Sequence, residues 1–178
     1  MGSVPTIYED TRQQAGKHEN KNRWWAAHGV TIVRRKLDFG DYATDGSNVI
    51  VDTKRSIAEV AMDCGRDHDR FVREMERARE AGYRLVILAE VGGPYKSTDD
   101  VRKWVSEACR KRCERYRMRT CDPLMSTSCT AWRRKPMQGP TLMRIMRTME
   151  STYGCRFEFC HPARSARRIC ELLGVDYE

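Results

Sequence analysis

Asp41, Asp52 and Lys54 are the residues whose types and spacing best suit chemistry on a phosphate. Asp52 and Lys54 stand two apart in Val51-Asp52-Thr53-Lys54, and such residues share a face of a strand. Asp41 follows Gly40 and precedes the turn signal Asp45-Gly46. If that turn folds the chain back, both carboxylates reach one edge of a sheet. Two carboxylates in water-poor surroundings repel each other unless a cation neutralises them. Carboxylate, carbonyl and water oxygens suit Mg²⁺ or Mn²⁺, and the Thr53 carbonyl lies in the same neighbourhood. An ammonium beside such an ion can orient an attacking water or stabilise charge growing on a phosphate, the equipment that cuts phosphodiesters. The plainer alternative is a surface ion pair, which Asp-x-Lys at a strand end often is.

The elements that must position these residues can be read from periodicity. Val4–Glu9 is short and β-rich. Residues 16–28 are predicted helical, with Trp24 and Trp25 toward the core and Gly29 as the stop. Val30–Arg34 and Asn48–Asp52 read as strands, and the 45–46 turn predicts that they pair antiparallel. Ile57–Met62 predicts a short helix. Asp67–Ala81 carries Phe71, Met75 and Ala78 at helical spacing. The run Arg84–Glu90 reads as a strand buried on both faces. A helix is expected from Thr98 or Asp99 to about Met118, then irregular chain over 119–140. Thr141–Tyr153 (helix), Arg156–Cys160 (strand) and Ala163–Leu173 (helix) follow. The expected fold class is α/β, one domain of 178 residues with a mixed central sheet flanked by helices. Residues 92–139 form a basic, Cys-containing helical insertion.

Charge points to a polyanionic partner. The formal charge is +8, and residues 101–139 hold eleven Lys or Arg against three acids. Such an excess attracts nucleic acid, although a solvated helix face has the same composition. No run is apolar enough to span a membrane, and neither a signal peptide nor a lipid anchor is expected. The eight cysteines fit a reducing cytoplasm, bacterial or of a phage-infected cell, because several sit in apolar segments as small hydrophobes.

Other residues are weaker candidates. Lys17 and His18, at a predicted helix entrance, suit phosphate contact, or are simply polar. Glu19 is a possible third metal acid, or an exposed one. Asp67-His68-Asp69 reads first as an acidic helix start, with Arg70 and Arg73 near enough to the same edge to reach DNA. Cys109, Cys113, Cys121 and Cys129 could hold structural zinc, but their spacings of four, eight and eight lack two close pairs, so zinc is not expected. Arg115, Arg117 and Arg119 suit backbone phosphates. Trp132 beside Arg133, Arg134 and Lys135 suits stacking on unpaired bases, whereas Trp104 is expected to pack against the body.

Four motifs, in order, resemble the XPF-type nuclease domain of the restriction-endonuclease-like (PD-(D/E)xK) superfamily. Ile7-Tyr-Glu-Asp10-Thr-Arg12-Gln13 resembles its opening strand, which closes on Asp-x-Arg-Glu. Gly40-Asp41-Tyr42 matches its Gly-Asp-Tyr. Val51-Asp52-Thr53-Lys54 stands where that family has Glu-Arg-Lys. Phe71 to Glu90 resembles its helix-then-strand unit, and Tyr153 to Leu173 its closing strand and helix. The resemblance covers roughly 4–91 and 140–175. It implies a metal-dependent endonuclease acting on DNA, often branched, flapped or at junctions. It further implies that Asp41 and Asp52 hold the metal, that Lys54 is the catalytic lysine, and that Asp10 and Arg12 support the site from the first strand. Glu59 stands near the family's acid after the lysine, offset by one residue.

The departures are specific. Asp52 is one methylene shorter than the family's Glu, Thr53 replaces a cation, and Gln13 replaces a carboxylate. The insertion has no counterpart in the compact family domain, and no helix–hairpin–helix module lies within these residues. DNA grip would then come from the insertion or from a second subunit in a homodimer. The build suits a phage or mobile-element enzyme. Two rivals remain: a DNA-binding module whose nuclease site has decayed, and an interaction protein whose insertion binds another protein.

Overall fold

The structure, a computed structural model, describes residues 4–14, 16, 18–115, 132, 133 and 135–178. Strand Thr6–Asp10 (β1) passes through helix Glu19–Ala27 (α1) to Thr31–Arg35 (β2), which pairs parallel to it with Asp10 opposite Arg35. Tyr42–Ala43 (β3) is two residues long and pairs antiparallel with β1 on one side and Val49–Lys54 (β4) on the other. Helices Ile57–Cys64 (α2) and His68–Glu80 (α3) lead to Arg84–Glu90 (β5). A 3₁₀ turn at Thr98–Lys103, helix Glu107–Arg115 (α4) and helix Gly139–Tyr153 (α5) precede Arg156–Cys160 (β6). A second 3₁₀ turn, Pro162–Arg164, opens onto helix Ser165–Leu173 (α6). The sheet runs β2-β1-β3-β4-β5-β6, with β4, β5 and β6 parallel.

The pairing expected through the 45–46 turn involves β3, not β2. Strand β2 lies at the sheet edge, beyond β1. The reason is topological: α1 is a crossover, and a strand reached by a crossover returns parallel to its predecessor. Two residues of β3 are too few to leave a period in sequence. The single helix expected over 98–118 is also corrected. Its first part is a 3₁₀ turn whose N-terminus is capped by Ser97 and Asp100, and the chain is extended at Trp104 before α4 begins.

Both sheet faces are covered. Leu85, Ile87 and Ala89 of β5 face one core, with Phe71, Met75 and Ala78 of α3, parts of α2, and Leu142 and Met146 of α5. Val86 and Leu88 face the other, with Trp25 of α1 and Ile169 and Leu173 of α6. That alternation accounts for the unbroken apolar run of β5. Trp25 is fully buried and donates its indole N–H to the Ala166 carbonyl at 3.1 Å. Trp24 is only half-buried, stacked on His28 at 3.8 Å.

Candidate active site

Tyr42 pairs with Val51, so Asp41, just before Tyr42, lies beside the segment of β4 that carries Asp52. Both residues are buried. The Asp41 N–H donates to the Val51 carbonyl at 2.8 Å, and the Asp41 carbonyl accepts from Asp10 N–H at 2.9 Å. Asp41 Oδ2 accepts from the Thr53 N–H at 2.8 Å and the Thr53 hydroxyl at 2.5 Å. Its Oδ1 accepts from the Gln13 amide, and His18 Nε2 bonds Gln13 Oε1 at 2.9 Å.

Lys54 projects on the same face as Asp52, as their spacing predicts. Its ammonium lies 2.8 Å from Asp52 Oδ2 and 2.8 Å from Asp63 Oδ2. Asp63, buried on α2, also takes Arg70 at 3.0 Å. Burial pushes the Asp52 carboxyl up to about 7; Lys54 opposes the rise, while the charges of Asp41 and Glu74 add to it. Burial pulls the Lys54 ammonium down, but Asp52 and Asp63 outweigh it and hold its pKa above the ordinary lysine value. Glu74, on α3, accepts from the Gly40 N–H at 3.1 Å and so braces the loop that carries Asp41.

Of the other candidates, Asp10 is buried at the end of β1 and ion-paired with Arg12, which also donates to the Leu37 carbonyl at 3.0 Å. Glu19 is exposed in the first turn of α1. Glu59 accepts from Arg55 N–H at 2.6 Å, while Ser56 accepts from Glu59 N–H at 3.1 Å; this pair caps α2 and commits Glu59 to the helix start. Arg70 is tied to Asp63, and Arg73, Arg115 and Arg133 are exposed. Lys135 is half-buried, and Trp104 packs against the core as expected. Lys17, Arg117, Arg119 and Arg134, with Cys121 and Cys129, lie outside the described residues. Cys64, Cys109, Cys155, Cys160 and Cys170 are free thiols.

Asp63 and Glu74 escaped the sequence reading. So did Lys21, buried on α1, whose ammonium lies 2.5 Å from Glu90 at the end of β5; Ser165 donates to the same carboxylate. Each is a charged residue inside the apolar stripe of a helix. Asp63 lies between Val60 and Cys64, Glu74 between Phe71 and Met75, and Lys21 one turn before Trp25. A charge at such a position needs a partner, and that was the available signal.

Among the described residues, no group of three or more His, Cys, Asp or Glu side chains is placed to hold a metal ion. The donor set nevertheless fits one hard cation. Asp52 Oδ1 has no hydrogen-bond partner among the described residues. A carboxylate offers about four acceptor sites, and the three donors on Asp41 leave one. The Thr53 N–H points at Asp41, and within a strand a residue's N–H and C=O face the same neighbour, so the Thr53 carbonyl faces it too. Buried like charges with oxygen donors suit Mg²⁺ or Mn²⁺.

No protein-family model matches the chain, and no curated protein matches it in sequence. Its structure is similar to that of XPF from Aeropyrum pernix, with a TM-score of 0.57 and 22% identity, covering 96% of this chain. The chain spans 60% of the length of that protein. This likeness shows the fold: an XPF-type, restriction-endonuclease-like α/β fold, with a six-stranded mixed sheet between helices. No described helix is long and apolar enough to cross a membrane.

Proposed function

We propose that this chain is a DNA endonuclease that uses Mg²⁺ or Mn²⁺ to hydrolyse phosphodiester bonds, with a preference for branched, flapped or junction DNA. The observation that carries the reading is the nearness of two buried carboxyl groups, Asp41 held by the backbone N–H next to Asp52 and its charge acting on Asp52, with the Lys54 ammonium 2.8 Å from Asp52. The shared fold with an XPF nuclease supports it, as does the basic excess of the chain.

Asp41, Asp52 and the Thr53 carbonyl would hold the ion. When bound, it supplies charge neutralisation at the scissile phosphate and activation of water. Lys54 remains an ammonium, because two carboxylates hold its proton. It has three N–H donors. Asp52 and Asp63 take two, and the third is left for a phosphate oxygen or the attacking water. Lys54 therefore acts as a positioned cation rather than a base. Gln13 and Thr53 fix the Asp41 carboxylate, and Asp10 fixes Arg12 beside it.

A cleavage assay on linear, flapped and four-way-junction DNA with Mg²⁺, Mn²⁺ or EDTA tests this. Cutting that needs the ion and is lost in Asp52→Asn and Lys54→Ala is the expected result. Undiminished cutting by Asp52→Asn would remove the site. One observation favours a second reading, a DNA-binding module with a decayed site: most of the hydrogen-bonding capacity of Lys54 and Asp41 is already taken by neighbouring groups of the protein. That reading requires DNA binding with no cleavage under any ion.

A further inference from the structure

A cavity of about 520 Å³ lies at the ends of β5 and β6, away from Asp41 and Asp52. Its wall includes Lys96, His161, Arg164, Arg167 and Arg168, with Tyr95 and Phe159 as ring surfaces. Glu171 is the one acid in the lining. It is shared between Arg167 and Arg168, at 2.9 Å from each. Arg168 has a second partner in Glu158, at 3.0 Å. Lys96 and Arg164 are exposed, and neither side chain has an acidic partner among the described residues. The nearby Asp100 carboxylate is engaged by the backbone N–H groups of Lys96 and Ser97 and by the Ser97 hydroxyl, and Asp99 is paired with Arg147. The cavity therefore carries uncompensated positive charge.

Position gives the cavity its meaning. Strands β4, β5 and β6 are parallel, with Lys54 level with Ala89 and Ala89 level with Phe159. All three strands end at the same edge of the sheet. Neighbouring strands lie about 4.8 Å apart, so two strand spacings, about 10 Å, are the lateral interval between β4 and β6, the strand that ends at the cavity.

We infer that this cavity binds the phosphodiester backbone of DNA on one side of the bond presented to Asp52 and Lys54, with Lys96 and Arg164 as the phosphate-contacting cations. The inference rests on the nuclease reading for what lies at the other end of the interval, but the binding itself does not. Free phosphate shares the recognised chemistry and is separated by the test.

The test is an anisotropy titration of labelled DNA in EDTA, over a range of salt, with wild type and the Lys96→Ala/Arg164→Ala protein. Both positions are exposed, and unchanged circular dichroism and melting establish folding. The expected result is binding about tenfold weaker, with the slope of log K against log salt reduced by about 1.4–1.8, since each phosphate contact contributes about 0.7–0.9. Arg84→Ala, which removes an exposed cation at the opposite end of β5, should change affinity less than twofold. Equal affinity and slope for wild type and the double variant overturn the inference. So does displacement of DNA from wild type by low-millimolar inorganic phosphate at constant ionic strength, which marks a free-anion site. A wild type that binds with the expected slope but cuts with no divalent ion removes the nuclease reading and leaves this site standing.

Discussion

Asp63 lies 2.8 Å from the ammonium of Lys54, matching the distance at which Asp52 holds it from β4. The lysine is thus clamped between a strand and a helix, and Arg70 anchors the helix side of the clamp. Removing one partner of a buried ion pair leaves an uncompensated charge, which costs about 3–5 kcal/mol. Asp63→Ala should lower unfolding free energy by about 3 kcal/mol in urea titrations. Asp63→Asn, which keeps an acceptor oxygen, should fold at a smaller cost and cut DNA at least tenfold more slowly. Full activity in Asp63→Asn would show that the clamp is structural only.

The Asp52 carboxyl, raised to about 7 by burial, makes stability depend on pH in a defined direction. Its unfolded value is about 3.9, so between pH 4 and 7 the folded state binds more protons than the unfolded state. Without metal, the contribution of Asp52 is fully present below about pH 4 and is lost as pH rises through 7. Melting in EDTA should fall between pH 5 and 8 in wild type, and the part due to Asp52 should vanish in Asp52→Asn. A divalent ion requires the carboxylate form, so Mg²⁺ should raise the melting temperature more at pH 8 than at pH 6. Equal Mg²⁺ stabilisation at both pH values would place the ion elsewhere.

Much of this site was legible because it rests on local patterns. The i, i+2 spacing of Asp52 and Lys54 fixes a shared face, and Asp45-Gly46 marks the reversal that brings Asp41 beside β4. What escaped was non-local. Strand β3 is held by its two neighbours rather than by its own periodicity, so β2 was assigned as the hairpin partner. Asp63 lies nine residues after Lys54 on a separate helix, and only the packing of α2 against the sheet brings the two together. The resemblance supplied the order of motifs, but it placed an acid at Glu59, which the structure uses as a helix cap.

Gln13 stands where the resembling family has Glu, and its amide donates to Asp41 Oδ1. Gln13→Glu would replace that donor with a carboxylate facing a carboxylate. The variant should melt lower than wild type in EDTA at pH 8, because like charges are brought together without a cation. It should also gain more from Mg²⁺, since a third hard oxygen ligand raises affinity for the ion. Comparing the Mg²⁺-induced rise in melting temperature between the two proteins measures this directly. A variant that is destabilised but gains no more than wild type would place the ion away from Asp41.

Gly40 adopts φ +57°, and a Cβ at that position would lie 2.6 Å from Ile50 Cγ2 and 3.0 Å from the Val51 carbonyl oxygen. The left-handed backbone alone costs a side chain about 1 kcal/mol. The contact with Val51 is against the carbonyl that accepts from Asp41 N–H, so relief must come from moving the loop away from β4. Gly40→Ala should therefore lose about 2–3 kcal/mol of stability, through strain and overpacking together. The same movement draws Asp41 away from Asp52, so cleavage should fall by more than the unfolded fraction accounts for. That excess should appear as weaker Mg²⁺ dependence in single-turnover assays at a temperature where the variant remains folded. If cleavage per folded molecule is unchanged, the nearness of Asp41 to Asp52 does not set activity, and the metal site must be sought on β4 and α2 instead.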